Sequence, residues 1–381
     1  MKADRSVQVL YENQLVGTLA LADGHKAAFE YTEEWLENGF SISPFSLPLK
    51  KEVFLPRKEY FDGLFGVFAD SLPDAWGRLL LNRMLKVNGI HPDDLTVLER
   101  LSIVGNSGMG ALTYYPEKSF GEEEKAYDLD QLAEQCQKVL NSEYAEDLDD
   151  LYRLGGTSGG ARPKIMTEIE EEPWIIKFPA HVDGKNAGKM EFDYYLCAKA
   201  CGIHMSESRL FHSEKCAGYF GTKRFDRIKR RNEVKRIHML TAAALLELDF
   251  NQPSLDYHSL MKLTKILTRD NPDDLENMFR RMCFNVFAHN RDDHSKNFTY
   301  LYDAEADRWC LSPAYDLTYS TTYYGEHTTT VDGNGRNPGE KELLAVGTAA
   351  GMKKNVCREL IDEIRNCVND RLGEYVSGKG Y

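Results

Sequence analysis

Asn290-Arg291-Asp292-Asp293-His294-Ser295-Lys296-Asn297, followed downstream by Ser312-Pro313-Ala314-Tyr315-Asp316, is the stretch on which the reading of this chain turns. The first segment has the spacing R-D-x-x-x-x-N of a phosphoryl-transfer loop. The second supplies a further carboxylate after a short strand-like run. Phosphoryl transfer needs little covalent help from a protein. It needs a carboxylate to position the attacking hydroxyl, and oxygen ligands to hold Mg²⁺ against the phosphates. Asp292, Asn297 and Asp316 are of the right types, in the right order, for that chemistry.

The flanks of this stretch set its context. Residues 273–289 carry Leu275, Met278, Phe279, Met282 and Val286 at helical spacing, so the loop follows an apolar helix. Phe298–Tyr302 and Trp309–Leu311 read as a hairpin turning through 303–307. Helices are expected at 240–246 and 257–267 upstream. A long polar loop (320–339) and helices near 340–346 and 355–371 are expected downstream.

Further upstream, Leu154-Gly155-Gly156-Thr157-Ser158-Gly159-Gly160-Ala161-Arg162-Pro163-Lys164 is a glycine-rich loop. It feeds a strand at Ile165-Met166, an acidic turn over 168–172, and a second strand, Trp174 to Phe178. Only Ala161-Arg162-Pro163-Lys164 follows Gly160, so this is not a Walker motif. Clustered glycines let backbone N–H groups approach phosphate oxygens unobstructed, and Thr157 and Ser158 place hydroxyls on the same loop. Lys177 stands in the otherwise apolar second strand. It is either an outward surface lysine or the ammonium that grips nucleotide phosphates. A helix over 189–201, ended by Gly202, offers Glu191 and Asp193 to orient it, and the sequence does not choose between them.

The amino-terminal part reads as strands at 7–21, around the turn Glu12-Asn13-Gln14, with a third strand at 26–31. A helix opens at Asp70–Trp76, with Ser71 or Asp70 as cap and Pro73 near its first turn. Its apolar face is Leu79, Leu80, Met84 and Leu85. The polar stretch 116–125 is read as a linker before a helix at 129–140. This gives an accessory domain over 1–120 and a core over 121–381, with a strand-rich lobe at about 121–222 and a helical lobe at about 223–381. The basic run Lys223-Arg224-Phe225-Asp226-Arg227-Ile228-Lys229-Arg230-Arg231 is either a solvated connector or an edge for an acidic partner.

Composition narrows the class. A chain of 381 residues exceeds one small core, and a net charge of −13 argues against unaided binding to DNA. No run is long and apolar enough for a membrane span, and Met1-Lys2-Ala3-Asp4-Arg5 does not open a signal peptide. The eight cysteines are scattered, with only Cys197 and Cys201 one helical turn apart, which predicts reduced thiols and a cytoplasmic protein. His289, Asp292, Asp293 and His294 also permit a metal-hydrolase reading. It lacks a recognisable ligand spacing and leaves Asn297 and the glycine loop without a role.

Taken together, Gly156 to Lys164, Ile175-Ile176-Lys177-Phe178, Lys223 to Arg227, the Asp292-to-Asn297 loop and Pro313 to Asp316 resemble the HipA family over nearly the whole chain. These are bacterial serine/threonine kinases acting as toxins of toxin–antitoxin pairs. The resemblance implies an α+β, bilobal, protein-kinase-like fold with a small α+β accessory domain, matched here by Phe61 to Phe65 and Asp70 to Arg78. It implies that Asp292 orients or deprotonates the substrate hydroxyl, while Asn297 and Asp316 bind Mg²⁺. Lys177 would hold the phosphates of ATP, beneath a loop comprising Gly156, Thr157, Ser158, Gly159, Gly160, Ala161 and Lys164. Phe225 would lie in the interlobe connector near adenine. Lys223 departs from members that carry an acid there, a position where adenine contacts come largely from backbone. Autophosphorylation of the loop is implied, with Thr157 the best match and Ser158 its neighbour. The implied partners are a protein substrate, in some members an aminoacyl-tRNA synthetase, and a HipB-like antitoxin that supplies the DNA contacts. A corepressor of kinase shape without turnover is the competing class.

Overall fold

Buried and exposed residues alternate from Ser6 to Tyr11, with Val7, Val9 and Tyr11 facing inward, and this pattern sets strand β1 (Ser6–Tyr11). In the computed structural model, Glu12 and Asn13 both take left-handed φ values (47° and 65°). They form a two-residue hairpin turn whose twist matches the flanking strands. Gln14 pairs with Tyr11 and so opens β2 (Gln14–Leu21), leaving the turn one residue shorter than expected. The structure describes all residues except 1–4, 23–24, 59, 119–127, 144, 146–147, 181, 231–232, 250–251, 323 and 377–381. The expected boundary at 120, the linker beyond residue 118 and Arg231 therefore lie outside the described residues.

Two compact units emerge. The first comprises Met1–Gly188, Phe211–Leu240 and Ala244–Glu247; the second comprises Lys189–Leu210, Thr241–Ala243 and Leu248–Tyr381. In the first, β3 (Ala27–Tyr31) and β4 (Leu112–Tyr115) extend the hairpin into a sheet of order β3-β2-β1-β4. Helices α1 (Glu33–Asn38), α2 (Gly66–Ala69), α3 (Ala75–Val87) and α4 (Val97–Val104) accompany it. The expected cap of α3 is corrected: Asp70 ends α2, and Asp74 occupies the cap position without capping by its side chain. Helices α5 (Leu129–Leu140) and α6 (Leu148–Gly155) lead to β5 (Lys164–Ile169) and β6 (Glu172–Lys177). The turn between these strands narrows to Glu170-Glu171, both left-handed.

After α7 (Ala187–Ala200) and β7 (Ser208–Phe211), β8 (Tyr219–Lys223) pairs antiparallel with β6. One face of β5-β6-β8 is dry. Ile165, Trp174 and Ile176 pack in a single core with Trp76, Leu80 and Met84 of α3, Cys136 and Val139 of α5, and Leu151 of α6. Residues read as accessory domain and as core thus share one hydrophobic interior.

The basic run is not a solvated connector. Its second half forms β9 (Arg227–Arg230), paired with β10 (Glu233–Arg236). Arg224 and Arg227 turn inward onto the fully buried carboxylate of Asp226. Asp226 also accepts the Gly110 N–H (2.8 Å), and Arg227 and Arg236 donate to the carbonyls of Gly108 and Gly110. Burial pushes the Asp226 pKa up, but the adjacent Arg224, then Arg227 and the Gly110 N–H, outweigh it and hold the value at about 2.

In the second unit, α9 (Tyr257–Leu267) and α10 (Pro272–Phe287) pack with α11 (Glu340–Ala349) and α12 (Lys354–Val376); β11 (Met239–Thr241) and α8 (Ala242–Leu246), whose residues divide between the two units, come before them in sequence. Asn271 caps α10 and Pro272 occupies its first turn. Strands β12 (Thr299–Asp303) and β13 (Arg308–Leu311) form the expected hairpin. The helix expected at 240–246 starts later, because Met239–Thr241 takes up strand pairing and Ala242 N–H bonds the Phe298 carbonyl (2.7 Å). No helix among the described residues is long and apolar enough to cross a membrane.

Two outcomes test this packing. Asp226→Ala is expected to destabilise the protein by about 3–5 kcal/mol in urea unfolding, because it strands buried guanidinium charge; a loss near zero would remove the cluster's structural role. His238 is buried, with Nε2 2.8 Å from the Ile42 carbonyl, and burial lowers its pKa from 6.5 to about 4. Between those values the unfolded chain binds a proton that the folded chain refuses, so stability from this group falls as pH falls below about 6.5. Between about pH 7.5 and about pH 5.5 it should cost about 1.4 kcal/mol. His238→Gln should lack that component; an equal acid loss in the variant would clear His238 of responsibility.

Candidate active site

The glycine-rich loop begins where α6 ends at Gly155 and is shaped largely by α3. The Gly160 N–H donates to the Asp74 carboxylate (2.9 Å), and the Trp76 N–H donates to the Gly160 carbonyl (3.2 Å). The Trp76 indole N–H reaches the Lys164 carbonyl (3.2 Å). Contact is so close that a Cβ on Gly77 would stand 1.9 Å from the Gly156 oxygen. Gly160 has φ +89°, which favours glycine there. The Thr157 hydroxyl donates to the Ser107 carbonyl (2.8 Å) and the Ser158 hydroxyl to that of Gly155 (2.5 Å); both residues are buried. Gly159 and Ala161 are exposed.

Lys164 and Lys177 are direct cross-strand partners on β5 and β6, so both project from the face opposite Ile165 and Ile176. The Lys164 ammonium donates to the Gly159 carbonyl. The Lys177 ammonium lies 5.6 Å from the centroid of the Phe220 ring. Lys177 is half-buried, so it is not a plain surface lysine. Phe225 sits half-buried in the turn between β8 and β9, inside the first unit, whereas a connector was expected.

In the second unit, the acid-bearing loop hangs from α10. Asp292 is exposed, and its carbonyl accepts the Asn297 side-chain N–H (2.7 Å). That bond turns the nitrogen of Asn297 inward and leaves its oxygen as the atom able to ligate a hard cation. Asp316 is half-buried with φ 52°, and its carbonyl accepts from Asn290 (3.4 Å). Tyr315 steadies it, donating its hydroxyl to the Lys296 carbonyl (2.5 Å) and sharing a bond with the Thr299 hydroxyl (2.6 Å). Asp292, Asn297 and Asp316 are thus tied into one loop system by backbone and amide bonds.

The next residue does different work. Asp293 is fully buried and accepts from the Tyr257 hydroxyl (3.0 Å) and Thr329 N–H (3.1 Å), with His327 Nδ1 3.0 Å away. Its own carbonyl takes the Thr329 hydroxyl. Asn285 donates to the Tyr257 hydroxyl (2.9 Å) and receives Asn290 (2.9 Å), so the network runs back into α10. Arg281, buried in the same helix, donates to the Ser312 carbonyl and to Asn277 (3.1 Å). Burial lowers its pKa to about 10, still charged at neutral pH.

The hydrolase reading is corrected here. Asp293 is consumed by internal hydrogen bonds, and His294 Nδ1 accepts the Lys296 N–H (3.2 Å). Among the described residues, the group of metal-ligating side chains that converges is a cysteine trio elsewhere. Of the two acids on α7, Asp193 receives Lys189 and the Tyr375 hydroxyl, each at 2.6 Å.

Sequence reading missed Asp74, Trp76, His327 and Thr329, and took Asp293 only as a candidate metal ligand. One signal was available: Asn277, Arg281 and Asn285 recur every fourth residue within an apolar helix, a buried polar stripe that requires partners.

A family model described as the HipA-like C-terminal domain matches residues 156–372, and one for the HipA N-terminal domain matches 7–115. A relative from Sinorhizobium fredii (strain NBRC 101917 / NGR234), named as the candidate kinase Y4mE, is 24% identical over 360 residues, covering 84% of this chain and 78% of that protein. Among solved structures, HipA in the Shewanella oneidensis MR-1 complex of HipA, HipB and operator DNA superposes with a TM-score of 0.73 at 17% identity, over 97% of this chain and 90% of that one. The Helicobacter pylori proinflammatory kinase CtkA gives 0.38 at 12% identity, over 56% of this chain and 91% of its own, too slight to argue from. The two matched segments take in the glycine loop, both lysines, the acid loop and the strands ahead of them, on the fold of HipA, and the chain belongs to the HipA family.

Proposed function

We propose that this chain is an ATP- and Mg²⁺-dependent protein serine/threonine kinase that phosphorylates a bacterial protein and its own glycine-rich loop, working with a HipB-like DNA-binding antitoxin. The observation that carries the reading is the division of labour between adjacent carboxylates. Asp293 is buried and fixes the loop, while Asp292, pinned only through its backbone, presents a free-standing carboxylate to solvent. A reactive acid on a rigid support is what positioning of a hydroxyl requires.

In this reading Asp292 accepts the hydrogen bond of the substrate hydroxyl and receives its proton as the new O–P bond forms and the bond to ADP breaks. Asn297 and Asp316 would hold Mg²⁺, which would neutralise phosphate charge. Lys177 binds phosphate oxygens, and the exposed backbone of Gly159 to Ala161 covers them. Phosphorylation of Thr157 would replace a donor to the Ser107 carbonyl by about two negative charges, and so break the contact that now holds the loop. The names of Y4mE and of the HipA–HipB–DNA complex support the kinase and partner readings. The chain's net charge of −13 suits DNA contact made through a partner.

Two experiments test the proposal. Asp292→Asn is expected to lower transfer from γ-labelled ATP by at least about 10²-fold with unfolding unchanged, since the side chain is exposed. Lys177→Ala and Asp316→Ala serve as companions. Wild-type labelling in Asp292→Asn would remove its catalytic role, and a folded protein with no turnover under any condition would favour the corepressor reading. Asp293→Asn replaces an acceptor of several donors by an amide, and should cost about 1–3 kcal/mol of stability together with a fall in kcat. Wild-type kcat in that variant would detach the buried network from the chemistry.

A further inference from the structure

Cys197 on α7 and Cys201, one turn further and just past the end of that helix, are both fully buried, and Cys367 approaches them from α12, half-buried. The three Sγ atoms all lie within 4.8 Å of one another. Thiols also reach across to the facing backbone: the Cys197 thiol donates to the Cys367 carbonyl (3.7 Å) and the Cys367 thiol to that of Cys197 (4.0 Å). The kinase reading gives this trio no part. We propose that Cys197, Cys201 and Cys367 form a zinc site that joins α7 to α12, with a fourth position reached by water from the Cys367 side.

Three features support the assignment. Zinc–thiolate bonds of about 2.3 Å in tetrahedral geometry place sulfurs about 3.8 Å apart, so the trio closes on an ion by a contraction of about 1 Å. A disulfide suits the helical pair less well, since it needs Cβ atoms about 3.8 Å apart, whereas residues one turn apart hold theirs at about 5–6 Å. Charge also balances. Three thiolates around Zn²⁺ leave one negative charge, and Arg371, exposed one turn beyond Cys367, acts favourably on the anions of both Cys197 and Cys367. Binding releases the thiol protons to water, so affinity should fall as pH falls. The same helix pair is already linked by the Tyr375–Asp193 hydrogen bond, so the ion would reinforce an existing contact.

The test uses the full chain, free of any polyhistidine tag, purified under reducing conditions and equilibrated with zinc sulfate. Elemental analysis after removal of excess metal should give about one zinc per chain. Anaerobic Co²⁺ should replace it, with sulfur-to-metal charge-transfer bands and the visible spectrum of a tetrahedral site. Cys367→Ala, at a half-buried position, should weaken zinc binding at least about a hundredfold. Cys201→Ala gives a second disruption, and Cys216→Ala should change nothing. A folded chain that retains no zinc, uptake unchanged in Cys367→Ala, or a chain two hydrogens lighter without reductant that no longer takes metal would each overturn the site. Asp292→Asn should bind zinc normally, which separates this proposal from the kinase reading.

Discussion

A single buried carboxylate organises the second unit. Asp293 lies beyond reach of water, and an ion in such surroundings persists only where donors surround it. Those donors come from α9 and from the segment 327–329, elements far apart in sequence, with α10 joined through Asn285 and Asn290. Satisfying that one charge therefore fixes the path of the loop on either side of it. Asp292 needs no bond of its own side chain to be held, because its neighbour has already determined where its backbone runs.

The glycine-rich loop obeys a parallel constraint in the first unit. Its glycines were read as permissive, a way to let phosphates approach, and Gly159 fits that use. Gly156 has a different reason: a Cβ there would stand 2.3 Å from the Tyr152 ring, while its own carbonyl lies against Gly77 of α3, and the Asp74 carboxylate and Trp76 amide grip the loop at Gly160. A flexible composition is thereby held in one shape by a helix more than seventy residues upstream.

Much of the fold was legible because local signals agreed with tertiary demands. Helices α5 and α9 run over 129–140 and 257–267 as read, since apolar period and capping residues coincide there. The β12–β13 hairpin likewise sits where alternation placed it. Departures occur where a distant partner decides. Asp74 could have capped α3, but its side chain was claimed by Gly160. Met239–Thr241 pairs as a strand despite the alanines that follow. Lys223 to Arg230 looked solvated because sequence counts charges without showing the buried Asp226 that draws two of the arginines inward. At the site, residue types and spacing were readable in Asp292, Asn297 and Asp316. The partners of Asp293 were not, because Tyr257, His327 and Thr329 lie far from it in sequence, and only the polar stripe on α10 hinted that such partners were needed.

The contact of Gly77 with Gly156 has a consequence for how such a chain can be cut. The family segments 7–115 and 156–372 look like two modules end to end, yet α3 of the first and the β5–β6 sheet of the second enclose the same interior around Trp76 and Trp174. Expressed separately, each half would carry a raw apolar wound where the other belongs, and neither would be a faithful miniature of the whole. Residue 77 is also bound to stay a glycine: any side chain there would drive into the Gly156 carbonyl and shift the loop that α3 supports.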